Sequence, residues 1–273
     1  MTQGRVLIVA GSDSGGGAGI QADIKAVTAL GGYAMTAITA LTAQNTLGVT
    51  GIHTVPPAFI REQMQACLSD LGADVVKSGM LHSVEVIEAV VEELEASAAD
   101  LPLIADPVMV AQSGASLLQD QAVEAVKHLL VPRASLLTPN APEAARLTGL
   151  TVEDVDGQRR AAEALVAMGA KAVLVKGGHL AAGTAPLVDV LQTEDDCRLL
   201  PVDYVETKET HGTGCTLASS IAAGMAQGLE LELAVRRAQS YLRKALISAP
   251  GFGRGQGPVN HGHTVVTFDL PSA

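Results

Sequence analysis

Apolar residues recur along this chain with two alternating periods. Short, near-continuous apolar runs at residues 6–10, 34–40, 75–77, 103–105, 136–138 and 172–175 predict buried strands. Elsewhere a helical spacing takes over. Ile60, Met64, Cys67, Leu68 and Leu71 fall on one face of a helix. Ile87, Val90, Val91 and Leu94 repeat that stripe, with Glu85, Glu88, Glu92 and Glu95 outside it. Residues 20–30, 161–168 and 215–226 continue the pattern, and residues 231–247 supply a last long helix. Strand–helix alternation with strands apolar on both faces predicts an α/β fold: a mostly parallel sheet covered by helices on both sides. Residues 188–191 and 198–202, separated by polar positions, predict a late antiparallel pair. With no linker, low-complexity stretch or internal repeat, residues 1–273 read as one domain.

Composition narrows the function classes. Net charge −11, no basic stretch and only 3 Phe, 3 Tyr and no Trp argue against a nucleic-acid surface. No apolar run reaches the roughly 18 residues of a membrane span. The start passes from a short apolar run straight into glycines, without a hydrophobic region of secretory type. Cys67, Cys197 and Cys215 are too few and too scattered for a disulfide framework. The expected setting is cytoplasmic.

In parallel sheets, ligands sit beyond the carboxyl ends of the strands. The loops expected there are 11–19, 42–48, 78–82, 106–114, 139–143 and 176–183. The first, Gly11-Ser-Asp-Ser-Gly-Gly-Gly-Ala-Gly19, has no Walker-type Gly-Lys-Ser/Thr ending. Gly17, Gly19 and Ala22 do match a dinucleotide fingerprint. That reading needs an acidic residue about 20 positions on, and no Asp or Glu occurs between Tyr33 and Val55. A loop whose backbone approaches a small ligand closely fits better. Asp23, one turn into the helix, is expected to point its carboxylate back at that ligand.

The stronger signal is Thr210-His-Gly-Thr-Gly-Cys-Thr216, directly before a helix. Unpaired N–H groups at the positive end of a helix make an anion site, suited to charge that develops in phosphoryl transfer. Cys215 falls in the first turn, where the same field is expected to lower its thiol pKa. Cys67, on an apolar stripe, reads as a core residue, and Cys197 has no case for chemistry. Lys176, between a strand and Gly177-Gly178, suits a nucleotide phosphate. His179, His211 and His261 show no metal-ligand spacing and read as satisfied loop histidines.

Taken together, VLIVAGSDSGGGAGIQADIKA, TAQNTLGV, VKSGML, DPVMVAQSG, LLTPNAPEAARLTG, VLVKGGH, ETHGTGCTLASSIAAG and GQGPVNH occur in family order over nearly the whole chain. The chain thereby resembles the ribokinase-like superfamily, specifically the bacterial hydroxymethylpyrimidine/phosphomethylpyrimidine kinases of thiamine biosynthesis. Residues 252–256, Phe-Gly-Arg-Gly-Gln, depart from a more histidine-rich family version. The resemblance implies ATP and Mg²⁺, a ribokinase-like fold and a homodimer. It places Gly212, Thr213 and Gly214 around the transferring phosphate, with Cys215 as thiolate base or hydrogen-bond positioner. It places the pyrimidine among Asp23, Gln44, Met80 and Val108, the nucleotide at Lys176 and Asn140, and the metal at Glu143 and Asp106. A glutamine amide can match the adjacent donor and acceptor of an aminopyrimidine. Pyridoxal kinases of the same superfamily are the nearest alternative. Closure of residues 180–209 over the site as a flap is left open by their polar, irregular composition.

Overall fold

The computed structural model describes residues 3–111, 114, 117–178 and 187–266. Residues 112 and 113 of the expected loop 106–114, residues 115 and 116, His179 and the first part of the candidate flap, residues 180–186, lie outside them.

The chain begins with β1 (Arg5–Asp13), α1 (Gly19–Ala29), β2 (Tyr33–Asn45), β3 (Gly48–Thr54), α2 (Pro57–Asp70), β4 (Val75–Ser78), α3 (Val84–Ser97) and β5 (Leu103–Ala105). A helical stretch follows: α4 (Ala122–Ala125), a π turn over Val126–Leu130, and α5 (Val131–Arg133). Then come β6 (Leu136–Leu137), α6 (Ala141–Thr148), α7 (Val155–Ala167), β7 (Ala172–Val175), β8 (Leu187–Thr193), β9 (Cys197–Val202), α8 (Thr213–Ala226) and α9 (Leu231–Ile247).

Among the described residues, one sheet holds nine strands in the order β3-β2-β1-β4-β5-β6-β7-β8-β9. The block from β2 to β7 is parallel. β3 closes one edge antiparallel, and β8 and β9 add the expected antiparallel pair at the other. Alternation along β1 shows why its sequence is apolar throughout. Val6, Ile8 and Ala10 face a layer with Ile20, Leu217, Ile221 and Val235 from α1, α8 and α9. Leu7 and Val9 face the opposite layer, with Ile60, Met64, Ile87 and Leu165 from α2, α3 and α7. Both faces are covered, so polar alternation has no place there.

One expectation needs correction, and two elements show no pattern in the sequence. Residues 42–48 are not simply a loop: Thr42–Asn45 end β2, and Gly48 starts β3. β3 escapes the apolar pattern because it is an edge strand with no fully buried residue. The helical stretch at 122–133 shows no sustained helical stripe in the sequence, because a π turn and Pro132 interrupt its period. Where β3 has ended, the edge of β2 is met by Gln63 of α2: its amide accepts from Ile38 N–H at 2.9 Å and donates to Ile38 C=O at 3.2 Å. That side chain takes the place of a strand.

The layer beneath α1 and α8 is expected to be intolerant of voids. Ile8→Ala should lower the unfolding free energy by about 2–5 kcal/mol in urea titrations; a loss below about 1 kcal/mol would contradict the packing described.

Candidate active site

Because β1, β4, β5, β6 and β7 run parallel, the segments that leave their carboxyl ends share one rim of the sheet. A cavity of about 360 Å³ opens along that rim. Gln44, Met80, Asp106, Val108, Asn140, Glu143, Lys176, Gly212, Thr213, Gly214 and Cys215 all line it. Residues from six separate stretches of sequence meet in one place.

The two glycine loops are joined by Asp13. Its Oδ2 accepts from Gly17 N–H at 3.0 Å, Ala18 N–H at 2.8 Å and His211 Nε2 at 2.8 Å, and its Oδ1 accepts from Gly15 N–H at 2.8 Å. Burial works to raise the Asp13 carboxyl. His211 and the N–H groups of Ala18 and Gly15 outweigh it and hold the group below its ordinary 3.8. His211 is therefore satisfied, as expected, but by a carboxylate from the other loop. At the contact itself only glycine fits. A Cβ on Gly212, which has φ +82°, would lie 1.8 Å from Gly17 C=O, and one on Gly17 would lie 2.4 Å from the His211 ring.

α8 starts just beyond this contact. Thr213 N–H donates to Thr210 C=O at 3.4 Å and Thr216 N–H to Gly212 C=O at 2.9 Å. The N–H groups of Gly214 and Cys215, in the first turn, have no intrahelical acceptor and stand at the positive end of the helix. A Cβ on Gly214 would lie 3.4 Å from both Asp106 Oδ2 and Lys176 Nζ, which places the helix end against that pair.

Lys176 donates to Asp106 Oδ1 at 3.0 Å, and its side chain is only 14% exposed. The sequence led to a lysine laid bare by glycines; the structure shows one held by a carboxylate. Burial works against its charge, but Asp106 and Glu143 raise its pKa, so it stays an ammonium ion. Asp106 Oδ1 also accepts from Thr138 Oγ1 at 3.1 Å. Asn140 and Glu143 form a capping box at the start of α6. Asn140 Oδ1 accepts from Glu143 N–H at 2.9 Å, and Glu143 Oε2 accepts from Asn140 N–H at 2.8 Å. Burial, with Asp106 nearby, pushes the Glu143 carboxyl up to about 7 against the pull of Lys176.

Two expectations at this site are overturned. Asp23 does not line the cavity. It is fully buried, and its carboxylate accepts from Lys77 Nζ at 2.9 and 3.0 Å and from Ser219 Oγ at 2.7 Å. The partner ammonium lies in the sheet, so the carboxylate turns inward. Nor is the Cys215 thiol lowered by the helix end. Burial pushes it up to about 12, with Asp23 and Asp106 adding to the effect, while Lys77 and the Gly19 N–H pull the other way without prevailing. Cys67 packs partly buried against the core, as expected of a structural thiol.

Three contributors escaped the sequence. Asp13 and Lys77 carried a signal, a carboxylate inside a glycine loop and a lysine in a buried strand. Asp189 of β8 carried none. It lines the cavity, and its Oδ1 accepts from Gly177 N–H at 2.8 Å while Oδ2 accepts from Gln239 Nε2 at 2.9 Å. The histidine expected in the tail, His261, is also satisfied: its Nε2 lies 2.9 Å from Thr216 Oγ1, and burial drives its pKa down to about 4.

A family model described as phosphomethylpyrimidine kinase matches residues 13–260. The chain belongs to that family. The thiamine biosynthesis bifunctional protein ThiED of Geobacter sulfurreducens is 51% identical over 259 residues, covering 95% of this chain and 52% of the relative. The chain thus spans about half of that protein. The hydroxymethylpyrimidine/phosphomethylpyrimidine kinase of Bacillus subtilis is 45% identical over 257 residues, 94% of each chain. Among solved structures, an ADP complex of Bacillus subtilis pyridoxal kinase superposes with a TM-score of 0.87 at 30% identity, covering 96% of this chain and 98% of that one. The fold is ribokinase-like, as expected from the resemblance.

The loop junction gives this family member an acid-sensitive element. Asp13 is held below its ordinary value, so its contribution is complete above pH 3.8 and drains away as the pH falls through the lower folded value. Asp13→Asn should therefore destabilise the protein at pH 7 by about 1–3 kcal/mol, and by clearly less at pH 3. Urea unfolding at the two pH values checks this; an equal loss at both would contradict it.

Proposed function

We propose that this chain transfers the γ-phosphoryl group of ATP to the hydroxymethyl group of 4-amino-5-hydroxymethyl-2-methylpyrimidine, and then to the resulting monophosphate, in thiamine biosynthesis. One observation carries the reading: a single cavity joins a helix-end anion site and a buried lysine to a polar amide flanked by apolar walls. Gln44 offers paired donor and acceptor atoms to the aminopyrimidine edge, with Met80 and Val108 beside it. The N–H groups of Gly214 and Cys215 face the negative charge that grows on the transferring group, with Gly212 and Thr213 shaping the turn. Lys176 neutralises nucleotide phosphate, and Asn140 holds the adjoining helix start in place.

The donor set suits Mg²⁺, which takes hard oxygen ligands and needs few carboxylates from the protein. Asp106 and Glu143 line the cavity together, and Glu143, raised to about 7 by burial, is a carboxyl that a cation would favour in its ionised form. Bound there, the ion would supply charge neutralisation for the phosphates. Cys215, neutral in the resting cavity, acts as hydrogen-bond positioner for the hydroxymethyl group rather than as a resting thiolate. Phosphoryl transfer depends mostly on positioning and charge stabilisation, so no strong base is required. Homodimer assembly and a cytoplasmic setting belong to the same proposal.

Pyridoxal phosphorylation is the second reading, favoured by the close superposition on a pyridoxal kinase. ADP release, measured with hydroxymethylpyrimidine, its monophosphate and pyridoxal as parallel acceptors, separates the two. Both pyrimidines should support turnover, and Cys215→Ala should lower kcat by roughly 10²-fold. No acceptor-dependent ADP release with either pyrimidine would overturn the proposal, as would a Cys215→Ala enzyme at the wild-type rate for the role of the thiol.

A further inference from the structure

Beneath the cavity floor lies a buried charged cluster built on Lys77, Asp23 and Ser219. Lys77 is the largest fully buried side chain among the described residues that carries a charge. It sits at the centre of the sheet, paired in register with Ile8 of β1 and Ile104 of β5. Those neighbours face the layer of α1 and α8, and so does Lys77.

There it meets the second rung of a two-helix ladder. Gly19 and Cys215 stand at the first turns of α1 and α8, and the Gly19 N–H favours the charged form of the Cys215 sulfur. Asp23 lies four residues beyond Gly19, and Ser219 four residues beyond Cys215, so each falls one turn below on the same helix face. Ser219 Oγ donates to Asp23 Oδ1 at 2.7 Å, and Lys77 Nζ reaches both Asp23 oxygens at 2.9 and 3.0 Å. Burying such a pair is costly unless geometry and further hydrogen bonds offset the desolvation. A core of apolar residues would hold these helices together as well. The charged alternative has one distinctive consequence, a fixed field one turn below the thiol.

We propose that Lys77 is a positioning residue for Cys215: its ammonium, fixed by Asp23 and Ser219, sets how much negative charge the sulfur can carry while the acceptor hydroxyl is engaged. This rests on the kinase reading above for its role in turnover, but the coupling itself is a property of the free protein. The charged groups that face the sulfur are Asp23 from α1, Lys77 from β4, Asp106 after β5 and Lys176 after β7. Of these, Lys77 and Asp23 act in opposite directions from within one ion pair. Burial works to strip Lys77 of its proton; Asp23, with Cys215 and Asp106, reverses that and keeps the ammonium charged.

The sign of the change makes the test sharp. In a background with Cys67→Ser and Cys197→Ser, the rate of Cys215 alkylation by iodoacetamide is followed from pH 7 to 10 without substrates. Lys77→Met should slow alkylation at pH 9 by about tenfold, one unit of thiol ionisation. A merely structural role would speed it, because loosening opens the thiol to the reagent. Faster alkylation, or an unchanged rate, would overturn the proposal. Should Lys77→Met fail to fold, Lys77→Met/Asp23→Leu replaces the pair by apolar groups and should alkylate more slowly than the parent; an unchanged or faster rate would overturn it. Because alkylation needs no acceptor, a failed kinase assay leaves this result interpretable. With a competent acceptor, Lys77→Met should lower kcat with little change in KM for ATP, and an unchanged kcat would remove the residue from turnover.

Discussion

Everything at the cavity depends on one contact, the Asp13 carboxylate against His211, which joins positions 198 residues apart. Glycine loops are costly to order because glycine loses the most backbone freedom on folding. Here one carboxylate collects three loop N–H groups and a ring nitrogen, so four donors fix a single conformation. The contact brings Gly17 against Gly212 so closely that neither tolerates a side chain. From that junction α8 launches with Gly214 of its first turn set against Asp106 and Lys176. The anion site is thus a product of loop docking, and helix propensity has little to do with it.

Charge is handled locally. A chain of net charge −11 has no reason to attract a polyphosphate over its whole surface. Within the cavity the balance is different. Lys176 is retained as an ammonium ion by Asp106, the helix end contributes fixed positive dipoles, and Glu143 sits poised between protonation states. The scarcity of aromatic residues has its counterpart here too. Near Gln44 the cavity walls are the thioether and aliphatic side chains of Met80, Val108 and Leu117, with no aromatic ring among these three.

The sequence made the covered strands readable because burial on both faces leaves uninterrupted apolar runs such as Val6–Ala10. β3 carried no such run, since an edge strand exposed along its length has no apolar pattern to display. At the site, residue types were legible and orientations were not. A carboxylate one turn into α1 reads the same whether it faces a ligand or the sheet; only Lys77, 54 residues away, decides that Asp23 turns inward. The thiol shows the same limit. A cysteine in the first turn of a helix suggests a lowered pKa, but enclosure and two neighbouring carboxylates win, and those emerge only from the packed arrangement. Asn140 and Glu143 stood out only through the family resemblance, while the capping box they form at the start of α6 emerges from the packed structure.

If the chain transfers phosphoryl groups as proposed, the Asp13–His211 contact builds the site for it by docking the two loops. A double-mutant cycle on Asp13→Asn and His211→Asn, read as kcat/KM for the pyrimidine acceptor, tests it most directly. If the contact is what matters, each single variant loses roughly the same factor, and the double variant loses little more than either one. Losses that multiply independently, or singles that retain wild-type kcat/KM, would contradict the account.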